Sequence, residues 1–103
     1  MTEYLETHEL KKAVTECLNA DRYDFHPYAL KKMATRNLNR NSAVRALKRG
    51  APFEKDHQCD PKKGWSYALV SKLDGNEFKT VVSFAEDEEG HQMMIINFYQ
   101  TGV

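Results

Sequence analysis

Four side chains in this sequence, His26, His91, Tyr67 and Tyr99, can carry or orient a proton, and four more, Lys31, Lys32, Lys72 and Arg36, can hold a phosphate. Together they make up the inventory for cutting a phosphodiester without metal. When RNA is cleaved by its own 2′-hydroxyl, a base takes the hydroxyl proton and an acid protonates the leaving 5′-oxygen. A cation steadies the charge on the pentacoordinate phosphorus. Each well-placed acid or base is worth roughly 10²–10⁴ in rate. Residue types alone do not make a motif, and a solitary histidine is more often structural than catalytic.

Other chemistries find less support. The chain has no glycine-rich phosphate loop, no G-x-S-x-G elbow, no H-E-x-x-H and no paired C-x-x-C. His57, Cys59 and Asp60 are metal-ligand types, but no second ligand pair accompanies them, and a solvated loop between Pro52 and Pro61 is the expectation. The run Glu86-Asp87-Glu88-Glu89 lacks the alternating ligands of a calcium loop and reads as an acidic turn. No metal and no cofactor is expected. Cys17 falls on an apolar helical stripe and reads as a small core residue.

Charge narrows the placement of any anion site. Fifteen basic and fifteen acidic residues cancel over 103 positions. Their distribution is uneven: residues 1–24 carry net −3, residues 54–103 net −4, and residues 25–53 net +7 with no acid at all. A neutral protein with one wholly basic third can present a local anion-binding surface. Lys31, Arg40, Arg45, Lys48 and Arg49 are therefore candidate RNA contacts, with Lys72 beyond them.

The elements that must hold these residues follow from periodicity. Leu10, Ala13, Val14, Cys17 and Leu18 recur at helical spacing, predicting a helix over 7–20 with Thr7 as its cap. Tyr23–His26 reads as a short strand or extended entry. Pro27 suits the first turn of a second helix, 27–37, on which Tyr28, Lys32 and Arg36 line up at four-residue intervals. Asn41 or Ser42 caps a third, short helix that ends at Gly50. Beyond Gly50 the period drops to two. Strands over 65–73, 78–84 and 91–99 are separated by Asp74-Gly75-Asn76 and the acidic turn, with an edge strand and loop over 52–63. One face of the sheet is expected to carry Leu69, Val82 and Ile95 or Ile96 beneath the helices. The fold class is α+β, N-terminal helices packed on a three- to four-stranded antiparallel sheet, in one domain over 1–103. Mean hydropathy is −0.70, no apolar run reaches the ~18 residues of a membrane span, and the first twelve residues lack a signal-peptide core. The expectation is a soluble cytoplasmic domain.

The stretch Tyr28-Ala29-Leu30-Lys31-Lys32-Met33-Ala34-Thr35-Arg36-Asn37-Leu38, followed by Ala43-Val44 and Leu47 to Gly50, resembles a small bacterial toxin-like domain of unknown function. The helix of that family reads H-A-x2-R-M-x2-R-G-[IL], and the family is placed near the RelE, BrnT and MqsR ribonuclease toxins. Ala29, Met33, Arg36, Leu38 and Gly50 match sharply. Tyr28 stands where the family has His, Lys32 where it has its first Arg, and Asn37 where it has Gly, while the final strand lacks the basic residues many such toxins carry. The resemblance implies a RelE-like fold and metal-independent cleavage of messenger RNA, with single-stranded RNA and an antitoxin protein as partners. Arg36 and Lys32 would then sit on phosphate, with His26 or Tyr99 in proton transfer. Two other readings stay open at this level. One is a toxin-fold domain that binds protein and catalyses nothing. The other is a helix-turn-helix-like nucleic-acid binder built from the second and third helices.

Overall fold

The computed structural model describes residues 4–102. Helix α1 (Thr7–Asn19) is followed by strand β1 (Tyr23–Phe25), then α2 (Pro27–Thr35) and α3 (Arg40–Arg49). Two short strands, β2 (Ala51–Pro52) and β3 (Gln58–Asp60), flank a 3-10 turn at Glu54–Asp56. The long strands β4 (Gly64–Leu73), β5 (Asn76–Asp87) and β6 (Gly90–Gln100) complete the chain. The α+β class stands, but the sheet has six strands and is mixed, not a three- or four-stranded antiparallel meander. Its order is β1-β6-β5-β4-β2, with β3 also on β4. The difference lies in the short pieces: β1 pairs parallel to β6, and residues 51–60 supply two short strands on β4 in place of the single edge strand expected within 52–63.

Local chemistry explains the boundaries. The α1 cap is Glu6, not Thr7: Glu9 accepts from the Glu6 N–H at 3.2 Å, while the Thr7 hydroxyl donates to Glu54 at 2.7 Å. His26 caps α2, its Nδ1 accepting from the Tyr28 N–H at 3.0 Å ahead of Pro27. Asn39 caps α3, two residues before the expected position, its Oδ1 accepting from the Ser42 N–H at 2.9 Å. Asn37 turns α2 off with φ +57, a left-handed geometry that asparagine tolerates. Asp74 and Gly75, at φ +52 and +83, make the two-residue hairpin between β4 and β5.

All three helices lie on one face of the sheet. Leu10, Val14 and Cys17 of α1 pack with Leu47, Tyr67, Leu69, Val82 and Ile95, and a second cluster joins Met33, Ala43, Ala46, Phe78 and Phe98. Leu69, Val82 and Ile95 are buried as expected, while Ile96 is only half-buried. Gly50 ends α3 at φ −68, so it is not there for left-handed geometry. A Cβ at Gly50 would meet the Ala46 carbonyl and the Leu69 side chain, each at 3.1 Å. The residue is small because the sheet passes close by.

Candidate functional site

The last strand decides which residues reach the surface. Val81 pairs with Asn97 and Val82 with Ile95, so Ile96 is an extra residue in β6. Such a bulge reverses the alternation of side chains beyond it. Met93 and Ile95 point to the core before the bulge, and Phe98 does so after it. Asn97 and Tyr99 are thereby turned away from the core. Without the bulge, the odd-numbered parity would carry both of them under the helices.

Beside this turned segment lies the C-terminus of α2. Arg36 donates to Asn97 Oδ1 at 3.1 Å and to the Phe98 carbonyl at 3.3 Å, and its guanidinium lies 5.5 Å from the Tyr99 ring centroid. The carbonyl is free to accept because β1 pairs with β6 only over Met93–Ile95. One helical turn back, Lys32 Nζ lies 5.6 Å from the centroid of the Tyr28 ring. Tyr28, Lys32 and Arg36 thus form one face of α2 that runs toward Tyr99, with rings and cations interleaved. Among the described residues neither Lys32 nor Arg36 stands in an ion pair with a carboxylate. Tyr28 is 48% exposed, the most accessible large apolar ring described. A depression of about 320 Å³, lined by Arg36, Leu38, Tyr99 and Gln100, lies at the end of the stripe.

The structure therefore brings together three of the four residues expected to be catalytic: Arg36, Lys32 and Tyr99. His26 stands apart. It caps the opposite end of α2, ten residues from Arg36 and so about 15 Å along the helix axis. The other basic candidates occupy different settings. Lys31 is exposed on α2. Arg40 lies 5.8 Å from the Phe25 ring and lines a depression of about 420 Å³ that also contains Asp21 and Asp24, carboxylates that repel phosphate. Arg45, Lys48 and Arg49 are exposed on α3, which packs mainly on β4 and β5. Lys72 faces Glu77 across the β4–β5 ladder. Within the candidate set, the α2–β6 stripe is where Lys32 and Arg36 lie against the Tyr28 and Tyr99 rings.

Residues outside the stripe have structural employment. Tyr67 is buried, its hydroxyl accepts from the Leu5 N–H at 2.9 Å, and burial raises its pKa. Cys17 is 1% exposed and burial pushes its thiol up, as a core reading requires. The carbonyl of His91 accepts from Arg22 Nε at 2.9 Å, and Arg22 also binds Asp87 at 2.6 Å and Glu89 at 2.8 Å. That network holds the acidic turn shut. Asp87 is held below the usual carboxylate range, first by the Glu89 N–H it accepts and then by Arg22. No cluster of three metal-ligating side chains occurs among the described residues.

Sequence reading passed over Lys79 and Asp56. Lys79 sits beside Tyr99 in the ladder, forms an ion pair with Asp56, and lies 5.2 Å from the Phe53 ring centroid. The hydrogen bond to Asp56 is the main cause of its raised pKa. The signal available in sequence was faint: a lone lysine inside an apolar strand. Comparison with protein families, curated proteins and solved structures found no match.

Proposed function

We propose that this chain is a toxin-type domain that engages single-stranded RNA along the Tyr28–Lys32–Arg36–Tyr99 stripe and cleaves it without metal through the RNA's own 2′-hydroxyl. The observation that carries the reading is the interleaving of two unpaired cations with two tyrosine rings on one surface. Single strands are held by this combination: cations track the phosphates, and exposed rings stack on bases at about 1–3 kcal/mol each. Tyr28, Lys32 and Arg36 occupy the His and two Arg positions of the helix motif that the resemblance rests on, Arg36 with the family's own residue.

In the reaction the 2′-oxygen forms a bond to phosphorus as the bond to the 5′-oxygen breaks. The 2′-hydroxyl proton passes to solvent, and the leaving oxygen gains one. Arg36 can grip two phosphoryl oxygens at once and stays charged at any working pH, with Lys32 as a second cation one turn away. Tyr99, whose ring lies beside the guanidinium and whose hydroxyl meets Lys79, is the group assigned to donate toward the leaving oxygen. No imidazole stands next to Arg36 among the described residues of the stripe, so the rate would come from charge stabilisation and positioning. A protein partner covering the stripe would silence it, the role the resemblance gives an antitoxin.

The position of His26 favours a second reading, binding without cleavage. Incubating the purified protein with single-stranded RNA in EDTA separates the two. Cleavage leaving 2′,3′-cyclic phosphate and 5′-hydroxyl ends is the expected result. Intact RNA that is bound in a salt-sensitive manner supports the binder, and RNA neither bound nor cut removes both.

A further inference from the structure

We infer that the groove on the outer face of the sheet, next to Tyr99, is a base-reading subsite that selects guanine. The inference rests on the RNA reading above. The groove has a volume of about 270 Å³ and is lined by Asp56, Gln58, Ser66, Lys79, Val81 and Tyr99. Tyr99 also lines the depression at Arg36, so the groove and the α2 stripe share a border at that ring.

The chemistry of the rim favours a base over a phosphate. Asp56 is a carboxylate set where a phosphate track would continue, and it would repel one. Its Oδ2 accepts from Lys79 Nζ, so an acceptor and a donor stand side by side, with the side chains of Asp56 and Lys79 40% and 17% exposed. Guanine presents the complement on one edge: two adjacent N–H donors for a carboxylate, then a carbonyl oxygen for an ammonium. Adenine would aim a ring-nitrogen lone pair at the carboxylate, and uracil offers one N–H between two carbonyls. Val81 and Tyr99 supply the apolar and aromatic surface for the flat faces of a base, and the Phe53 ring, 39% exposed, borders Lys79. Asp56 lies on the short 3-10 turn, outside the main sheet ladder, so the pair can part without breaking strands.

Non-cleavable 2′-O-methyl uridine oligonucleotides carrying one guanine, inosine or adenine test this by fluorescence anisotropy. The wild-type protein should bind the guanine oligomer about tenfold more tightly than the adenine one, the range for a good bidentate pair, with inosine between because it lacks one donor. Asp56→Asn should abolish the preference, so that guanine and adenine oligomers bind equally. Arg36→Gln should weaken all three and preserve their ratio. Equal wild-type affinities for the three bases, with Arg36→Gln still weakening each, would overturn the guanine subsite and leave the RNA reading intact. Absence of binding to any oligomer would overturn both. The wild-type series decides the matter even if Asp56→Asn does not fold.

Discussion

Arg36 joins two roles in one side chain. Its donors tie the end of α2 to β6, while its exposed guanidinium remains available to an anion. A structural alternative visible in sequence, a salt bridge to Glu16 or Asp24, is not what forms: the acceptors are an amide oxygen and a backbone carbonyl. Exposed hydrogen bonds of this kind contribute about 1 kcal/mol, and lysine can replace one of them. Arg36→Lys is therefore expected to shift the melting temperature little. The bidentate grip is lost, so RNA cleavage should fall about tenfold or more, equivalent to ~1.4 kcal/mol. A variant that melts early but still cleaves would make Arg36 a purely structural residue. His57 offers a separate test. Its Nδ1 accepts from the Ala68 N–H at 3.0 Å, and burial lowers its pKa below the ordinary 6.5. The folded state thus favours neutral imidazole, and the stability it gives is present above the unfolded pKa and lost as pH falls through the folded one. The melting temperature should drop between about pH 7 and 5. His57→Asn, which keeps an acceptor near the same place but does not titrate, should flatten that drop in calorimetry.

The elements were largely legible where one physical signal dominated. Helical spacing in α1, Pro27 at the start of α2, and the Asp74-Gly75 hairpin each stated their structure openly. The last strand did not, because Met93 and Ile95 on one parity and Met94, Ile96 and Phe98 on the other both looked like a core face. The bulge at Ile96 resolves the ambiguity: each parity is buried on one side of it. Since the bulge also turns Tyr99 toward Arg36, the same local feature hid both the register and half of the site. The parallel pairing of β1 was equally invisible, three residues being too few to show a period. Gly50 carries a testable consequence at this scale. Its φ suits any residue, but a methyl group would press on Leu69 and the Ala46 carbonyl. Gly50→Ala is expected to cost about 1–3 kcal/mol in urea unfolding, with RNA affinity unaffected. An unchanged midpoint would show that α3 can shift away from β4 freely.

For the whole molecule, neutrality hides a polarity of charge. The Arg22 network gathers Asp87 and Glu89 at the β5–β6 turn, while among the described residues Lys32 and Arg36 on α2 stand in no ion pair with a carboxylate. Binding to single strands should weaken with salt at a log–log slope of about 0.7 per phosphate neutralised, and Arg36→Gln should reduce the slope by about that amount. The most direct measurement is amide chemical-shift mapping with a non-cleavable single-stranded RNA added to the labelled protein. Perturbations concentrated at residues 28–36 and 97–100 are the result this account predicts. Perturbations confined to the exposed face of α3 at Arg45, Lys48 and Arg49, or none at all, would contradict it.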